Sequence, residues 1–199
     1  MKDFPLNFKF KGNRNYVHGT DIYTKVLQHL SKEFTISNID LSFHKVVKNN
    51  LIAEFLPGDH VNSDNAIPAS IFKFTEPVKT NIVYLFETNN EVTENYEYNE
   101  EDVIKASIFK GDEKSILLNS PSSYTNIEKV VALNKRLLEN LFTDAGKWFF
   151  TRITIDKDLN QQQPEIITLK LVKNIGSKIT KSLILFDGKE QGYIYFSKV

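Results

Sequence analysis

Residues 180–199 read TKSLILFDGKEQGYIYFSKV: an apolar run, an Asp-Gly turn, and a second run carrying two tyrosines. Asp-Gly between β-rich runs is a two-residue hairpin signal. The same order occurs in the middle of the chain, where residues 80–98 read TNIVYLFETNNEVTENYEY. Thr80 falls on Thr180, Phe86 on Phe186 and Glu87 on Asp187, an offset of 100. There TNNE supplies the turn chemistry that DGKE supplies later, which predicts a second hairpin. The same offset lays SIFKF (70–74) on KLVKN (170–174), a further strand in each copy.

Upstream of these hairpins lies one amphipathic helix apiece. In DIYTKVLQHLSKEF (21–34), Ile22, Val26, Leu30 and Phe34 recur every four residues, flanked by Tyr23 and Leu27. In NIEKVVALNKRLLENLF (126–142), the stripe is Ile127, Val131, Leu138 and Leu141, beside Val130, Leu137 and Phe142. That spacing puts each set on one helical face. Thr125 with Glu128 has the pattern of a capping box. Aligning VLQHL with LLENL gives an offset of 111, so about 11 residues are extra in the first half. The stretch KNNLIAEFLPGDHVNSDN, loop-like at PGD and NSDN, is where they would fit. Strand-like runs precede the helices (FPLNFKFKG, DVIKASIFKG) and follow them (ISNIDLSFHKVV, KWFFTRITID). The chain therefore reads as two units, 1–101 and 102–199, each a strand, a long helix and about four antiparallel strands. A helix laid on one antiparallel sheet is an α+β layer solution.

Composition bounds function only by exclusion. Among 199 residues, 25 Lys+Arg balance 25 Asp+Glu. Zero net charge disfavours nucleic acid as the main partner, since phosphate binding calls for surplus cations. A hydrophobic fraction of 41% supports a packed core. With no Cys there are no disulfides, thiolate ligands or cysteine nucleophiles. No segment reads as a signal peptide or membrane helix, which gives a cytoplasmic, membrane-free protein as the expectation. His18, His29, His44 and His60 do not fall in HxxxH or HExxH spacing, so no metal is expected, and no Walker loop, GxGxxG or GxSxG is present.

One segment carries chemistry: Tyr16-Val17-His18-Gly19-Thr20-Asp21, at the start of the first helix. Backbone N–H groups at a helix start, with the positive end of its dipole, suit a carbonyl gaining negative charge. Gly19 would let a ligand approach the backbone. Histidine is the side chain type that titrates nearest neutrality, which makes His18 the candidate acid–base group. The plainer alternative makes Gly19 and Thr20 a helix cap and His18 an ordinary loop residue. For Asp21 the plainer role is a favourable interaction with the helix dipole. Asn134 lies on the apolar stripe of the second helix, where a buried amide needs partners or costs about 1–3 kcal/mol. It is a candidate to orient a water or a substrate, or simply bonds nearby backbone. His44 shares a strand face with Asp40 and Ser42 and reads as solvated; His29 reads as a packing residue and His60 as a loop residue. The acidic run EVTENYEYNEED (91–102) reads as a solvated strand face followed by a linker.

The unit order, with His-Gly before the helix, resembles the hot-dog fold, in which a curved antiparallel sheet wraps a central helix. Two such units resemble a double hot-dog, packed as one pseudo-dimeric domain. The resemblance implies acyl thioesters of coenzyme A or acyl carrier protein as substrates, and no cofactor. It implies a (3-hydroxy)acyl-thioester dehydratase-like enzyme, an acyl-CoA thioesterase, or a non-catalytic acyl-binding or protein-interaction module. His18 and Asn134 would then be catalytic, and Gly19, Thr20 and Asp21 would bind substrate. The protein would be a monomer or a homodimer. Two departures stand out. The second-half counterpart of the loop, SYTNIEK (123–129), has neither His nor Gly. One thioesterase family has an acidic residue about nine positions after its His, where this chain has Leu27.

Overall fold

The computed structural model describes residues 3–55, 67–77, 79–119 and 122–199. Two compact units divide the chain, Met1–Tyr98 and Asn99–Val199. Both are built mainly from antiparallel strands with few helices.

In the first unit the order of elements is β1 (Phe4–Leu6), β2 (Phe10–Lys11), α1 (Gly19–Leu30), β3 (Ser37–Phe43), β4 (Asn49–Phe55), β5 (Ser70–Glu76), β6 (Lys79–Glu91) and β7 (Asn95–Tyr96). Five of these strands form an antiparallel array in the order β1-β4-β6-β5-β3. Period-2 alternation sends one set of side chains inward: Ile39 and Leu41 from β3, Phe72 and Phe74 from β5, Val83 and Leu85 from β6 are all at most 1% exposed. The α1 stripe of Ile22, Tyr23, Val26, Leu27 and Leu30 is buried as well. Each such side chain contributes about 1.5–3 kcal/mol relative to exposure. The helix stops at Leu30, four residues before the expected end; Phe34 leaves the helical stripe and packs against Phe55 and Phe74.

The second unit contains α2 (Glu100–Ile104), β8 (Ser107–Lys110), β9 (Ser115–Leu118), α3 (Asn126–Leu141), β10 (Trp148–Ile155), a 3-10 turn (Leu159–Gln161), β11 (Ile167–Ile175), β12 (Ile179–Phe186) and β13 (Lys189–Lys198). The strand order is β10-β13-β12-β11-β9-β8, again antiparallel. The DGKE hairpin forms between β12 and β13, with Asp187 and Gly188 at φ of 50° and 77°. Two positive φ values in succession are the mark of a type I′ turn. Nearby, Gly192 sits at φ 134°, and a Cβ there would meet the Thr154 backbone oxygen at 2.1 Å. Only a residue without a side chain fits that approach of β13 to β10.

Two expectations fail. TNNE does not turn: β6 continues through it to Glu91, with a bulge-like register shift against β4 between the Leu51–Glu87 and Asn49–Glu91 pairs. The reason is side-chain anchoring to the start of β4. Glu87 accepts hydrogen bonds from the backbone N–H groups of Lys48 and Asn49 at 2.7 and 2.9 Å. The Asn49 amide donates to the Thr88 carbonyl, and the Thr88 hydroxyl donates to the Asn50 carbonyl. The offset of 100 also joins strands with different neighbours. It lays β5 on β11, but β5 pairs with β3, the strand after α1, whereas β11 pairs with β9, the strand before α3. Strand prediction before the helices is likewise incomplete. FPLNFKFKG breaks into β1 and β2, and DVI of DVIKASIFKG belongs to α2. Of the stretch expected to hold the extra residues, Asn49–Phe55 is β4, and its part from residue 56 onward, with His60, lies outside the described residues. Among the described residues, no helix is long and apolar enough to cross a membrane.

Candidate active site

Lys11 decides the character of the α1 start. It is a lysine with 0% exposure. A buried ammonium is retained only when paired and hydrogen-bonded, and here both conditions are met. Its Nζ donates to Thr20 Oγ1 at 2.8 Å and lies 3.3 Å from Asp21 Oδ1. The Tyr98 ring sits beneath it, with Nζ 4.3 Å from the centroid, and the Tyr96 ring is 5.8 Å away. The Tyr96 hydroxyl donates to Asp21 Oδ1 at 2.8 Å.

Backbone geometry brings these groups together. Short β2 pairs in parallel with β7, with Phe10 opposite Asn95 and Lys11 opposite Tyr96. The ribbon is pinned by the Phe10 N–H to the Glu94 carbonyl and the Gly12 N–H to the Tyr96 carbonyl. Gly12 then turns the chain at φ 59°, where a Cβ would stand 3.1 Å from the Tyr98 carbonyl. From there the chain reaches His18, whose extended backbone (φ −77°, ψ 140°) makes it the N-cap of α1. The Val17 N–H bonded to the Val47 carbonyl holds this approach.

His18 caps with its backbone only; its side chain makes no cap hydrogen bond to the helix. Instead its Nδ1 lies 2.8 Å from Thr20 Oγ1, and its ring lies 6.4 Å from that of Tyr16. Gly19 opens α1 and is half-buried; Thr20 is buried; Asp21 is half-buried in the first turn. The structure thus brings His18, Thr20 and Asp21 into one network. Through Thr20 and Asp21 it adds Lys11, Tyr96 and Tyr98.

The equivalent end of α3 is built differently. Thr125 and Glu128 form the expected capping box, with Glu128 Oε2 accepting from the Thr125 backbone N–H at 2.8 Å. Asn160 Oδ1 accepts from the Ile127 N–H at 3.1 Å. The Asn126 amide donates to the carbonyls of Leu159 and Gln162.

Asn134 is on α3 and fully buried, and neither atom of its amide has a hydrogen-bond partner among the described residues. It is not part of the Lys11 network. His44 is exposed, with Nε2 3.1 Å from Ser42 Oγ. His29 is half-buried and stacks on Phe4 at 3.6 Å. Leu27 is 3% exposed and belongs to the core. No cluster of three or more His, Cys, Asp or Glu side chains suited to a metal occurs among the described residues.

Lys11, Tyr96 and Tyr98 escape a sequence reading. Lys11 looks like one of several charges in a polar N-terminal segment. The tyrosines look like strand residues in an acidic run. Their alternation, Tyr96 and Tyr98 amid glutamates, was the available signal.

No family model and no curated protein sequence matches the chain. Solved structures do. A protein from Thermobifida fusca YX, provisionally described as a thioesterase II, is 7% identical with a TM-score of 0.54, over 99% of this chain and 92% of that one. The dehydratase domain of PpsC from Mycobacterium tuberculosis, solved with C12:1-CoA, is 8% identical with a TM-score of 0.51, over 99% and 92%. A conserved protein of unknown function with a hot dog fold, from Alicyclobacillus acidocaldarius, is 9% identical with a TM-score of 0.50, over 99% and 93%. This chain has the hot-dog fold. These matches each cover 99% of the chain.

Proposed function

We propose that this hot-dog protein acts on acyl thioesters of coenzyme A or acyl carrier protein, at the N-terminal end of α1, as a 3-hydroxyacyl-thioester dehydratase-like enzyme. The observation that carries the reading is the placement of His18 at the α1 N-cap with Nδ1 engaged by Thr20. Nε2 is then the nitrogen assigned to chemistry. The thioester carbonyl would lie toward the backbone N–H groups of Gly19 and Thr20, which have no acceptor within the helix. Nε2 takes the proton α to the carbonyl. The C–O bond to the 3-hydroxyl breaks, and the same proton leaves with that oxygen as water. Asp21 holds Lys11 and Tyr96, and so acts in shaping the site.

The PpsC domain, a hot-dog neighbour solved with C12:1-CoA, supports the substrate class. Hydrolysis is the second reading, favoured by the likeness to the Thermobifida fusca protein. Burial of Leu27 argues against the thioesterase pattern that has an acid at that helix position. We read the two units as tandem hot-dog copies with α1 and α3 as their central helices, and the protein as a cytoplasmic monomer or homodimer. Asn134 is the second candidate polar group: its buried amide has unused hydrogen-bonding capacity for a water or a substrate oxygen.

The test is a thioester panel of 3-hydroxyacyl-CoA, crotonyl-CoA and saturated acyl-CoAs, read for enoyl absorbance and for free thiol. Turnover lost in His18→Ala at an unchanged melting temperature supports the reading, and the active substrate separates dehydration from hydrolysis. Absence of turnover on CoA and carrier-protein thioesters alike overturns catalysis. Stabilisation by acyl-CoA without turnover would point to a binding module.

A further inference from the structure

We propose that Lys11 is a positioning residue which, through the Thr20 hydroxyl, decides the ring nitrogen of His18 that carries the proton. The inference rests on the reading above only for its catalytic consequence; the proton's place is measurable without substrate.

The argument is a count of protons around one oxygen. Thr20 Oγ1 has one hydrogen to give and two lone pairs. The Lys11 ammonium can only donate, and at 2.8 Å it occupies one lone pair. Two acceptors then compete for the hydroxyl hydrogen: His18 Nδ1 at 2.8 Å and Asp21 Oδ1 at 3.5 Å. Distance favours the histidine, because hydrogen bonds to oxygen or nitrogen weaken well before 3.5 Å. Asp21 Oδ1 is moreover already an acceptor for Lys11 and for the Tyr96 hydroxyl. A hydroxyl that receives a charged donor is itself polarised into a stronger donor. The resting state therefore has the Thr20 hydroxyl donating to Nδ1, and the proton of neutral His18 on Nε2.

The chemical consequence is specific. In that tautomer Nε2 offers an N–H to a substrate oxygen and cannot yet take a proton. Base chemistry requires the hydroxyl to rotate to Asp21 while Nδ1–H donates to Oγ1; the proton on Nε2 passes to solvent water and Nδ1 takes one from solvent water, which leaves a lone pair on Nε2. Lys11, Thr20 and Asp21 thus form a two-position proton switch beside the acid–base histidine. The charged and titratable groups around it are Lys11 on β2, Asp21 on α1, Tyr96 on β7, and Tyr98, Tyr16 and Arg14 in the adjoining segments. The Lys11 ammonium, one hydroxyl oxygen away from the ring, opposes the imidazolium, and the Asp21 carboxylate on the same hydroxyl favours it.

The test is long-range ¹H–¹⁵N correlation of the full-length chain labelled at histidine, with His18 assigned by its loss in His18→Asn. The wild type is expected to show the Nε2–H tautomer at His18. Thr20→Val should abolish the tautomer preference and Thr20→Ser should restore it. Lys11→Met should raise the proton affinity about tenfold. Lys11→Gln, which retains a donor but drops the charge, should raise it less while keeping the tautomer. If Lys11→Met fails to fold, Lys11→Gln and Thr20→Val decide the question. An Nδ1–H tautomer in the wild type overturns the proposal, as does a Thr20→Val spectrum and titration identical to wild type. If the spectra behave as expected and no thioester is turned over, the switch stands and the enzymatic reading falls.

Discussion

Two helices of similar amphipathic design begin in opposite ways. The start of α3 turns its side chains onto its own backbone: Thr125 and Glu128 close the capping box, and Asn160 takes the Ile127 N–H. The start of α1 turns its side chains onto one another: Lys11 to Thr20 and Asp21, Thr20 to His18, Tyr96 to Asp21. A satisfied cap contributes stability and has nothing further to offer. A buried charged network costs desolvation and repays it only with near-complete pairing. The costly arrangement stands at one helix start and the simple one at the other, which is why the proposed site is put at the first.

The comparison can be broken first at Asp21. Asp21→Ala leaves Lys11 buried without its carboxylate and should cost about 3 kcal/mol of stability, read as a lowered midpoint in urea. A loss under about 1 kcal/mol would show that the cluster is no true buried pair. Next comes His18→Ala, which should lower thioester turnover by about a hundredfold or more with no change in melting temperature, since His18 is half-buried and gives the helix no side-chain cap. The mirror experiment is Thr125→Ala: a stability loss of about 1 kcal/mol from the broken cap and unchanged turnover. If turnover fell as well, the two helix starts would not be functionally distinct. Asn134→Leu sharpens the same contrast within α3. As a structural orphan its replacement should be neutral or stabilising; a drop in turnover at unchanged stability would make the amide functional.

The smallest effect is expected at Glu87, the residue that ties β6 to the start of β4. Burial pushes its carboxyl up. The N–H groups of Lys48 and Asn49, with the Lys45 ammonium, outweigh that and leave it below the ordinary 4.5. A depressed folded value means the contribution is present above the unfolded value and is lost as pH falls through the folded one. Glu87→Gln should therefore weaken the protein slightly at neutral pH, by a few tenths of a kcal/mol for so exposed a pair. The gap to wild type should close on acidification below about 4.5. A gap constant down to low pH would remove Glu87 from the acid response.

The Asp-Gly turn was legible because its two positive φ angles demand those residue types locally. TNNE carried much the same signal and was overruled by hydrogen bonds to Lys48, Asn49 and Asn50, about 38 positions away in sequence. The offset of 100 was misleading for a related reason: similar strands in similar order can still take different neighbours, because pairing is settled across the sheet.

The sequence by itself determined the two amphipathic helices, the Thr125 cap, the β12–β13 hairpin and the His-Gly segment at a helix start. All of these rest on residues within a few positions of one another. Only the tertiary structure decided the strand orders, the continuation of β6 through TNNE and the partnership of Lys11, Tyr96 and Asp21, the last two 75 positions apart. A lysine's environment depends on what is folded against it, and a stretch of sequence written in isolation holds no record of that.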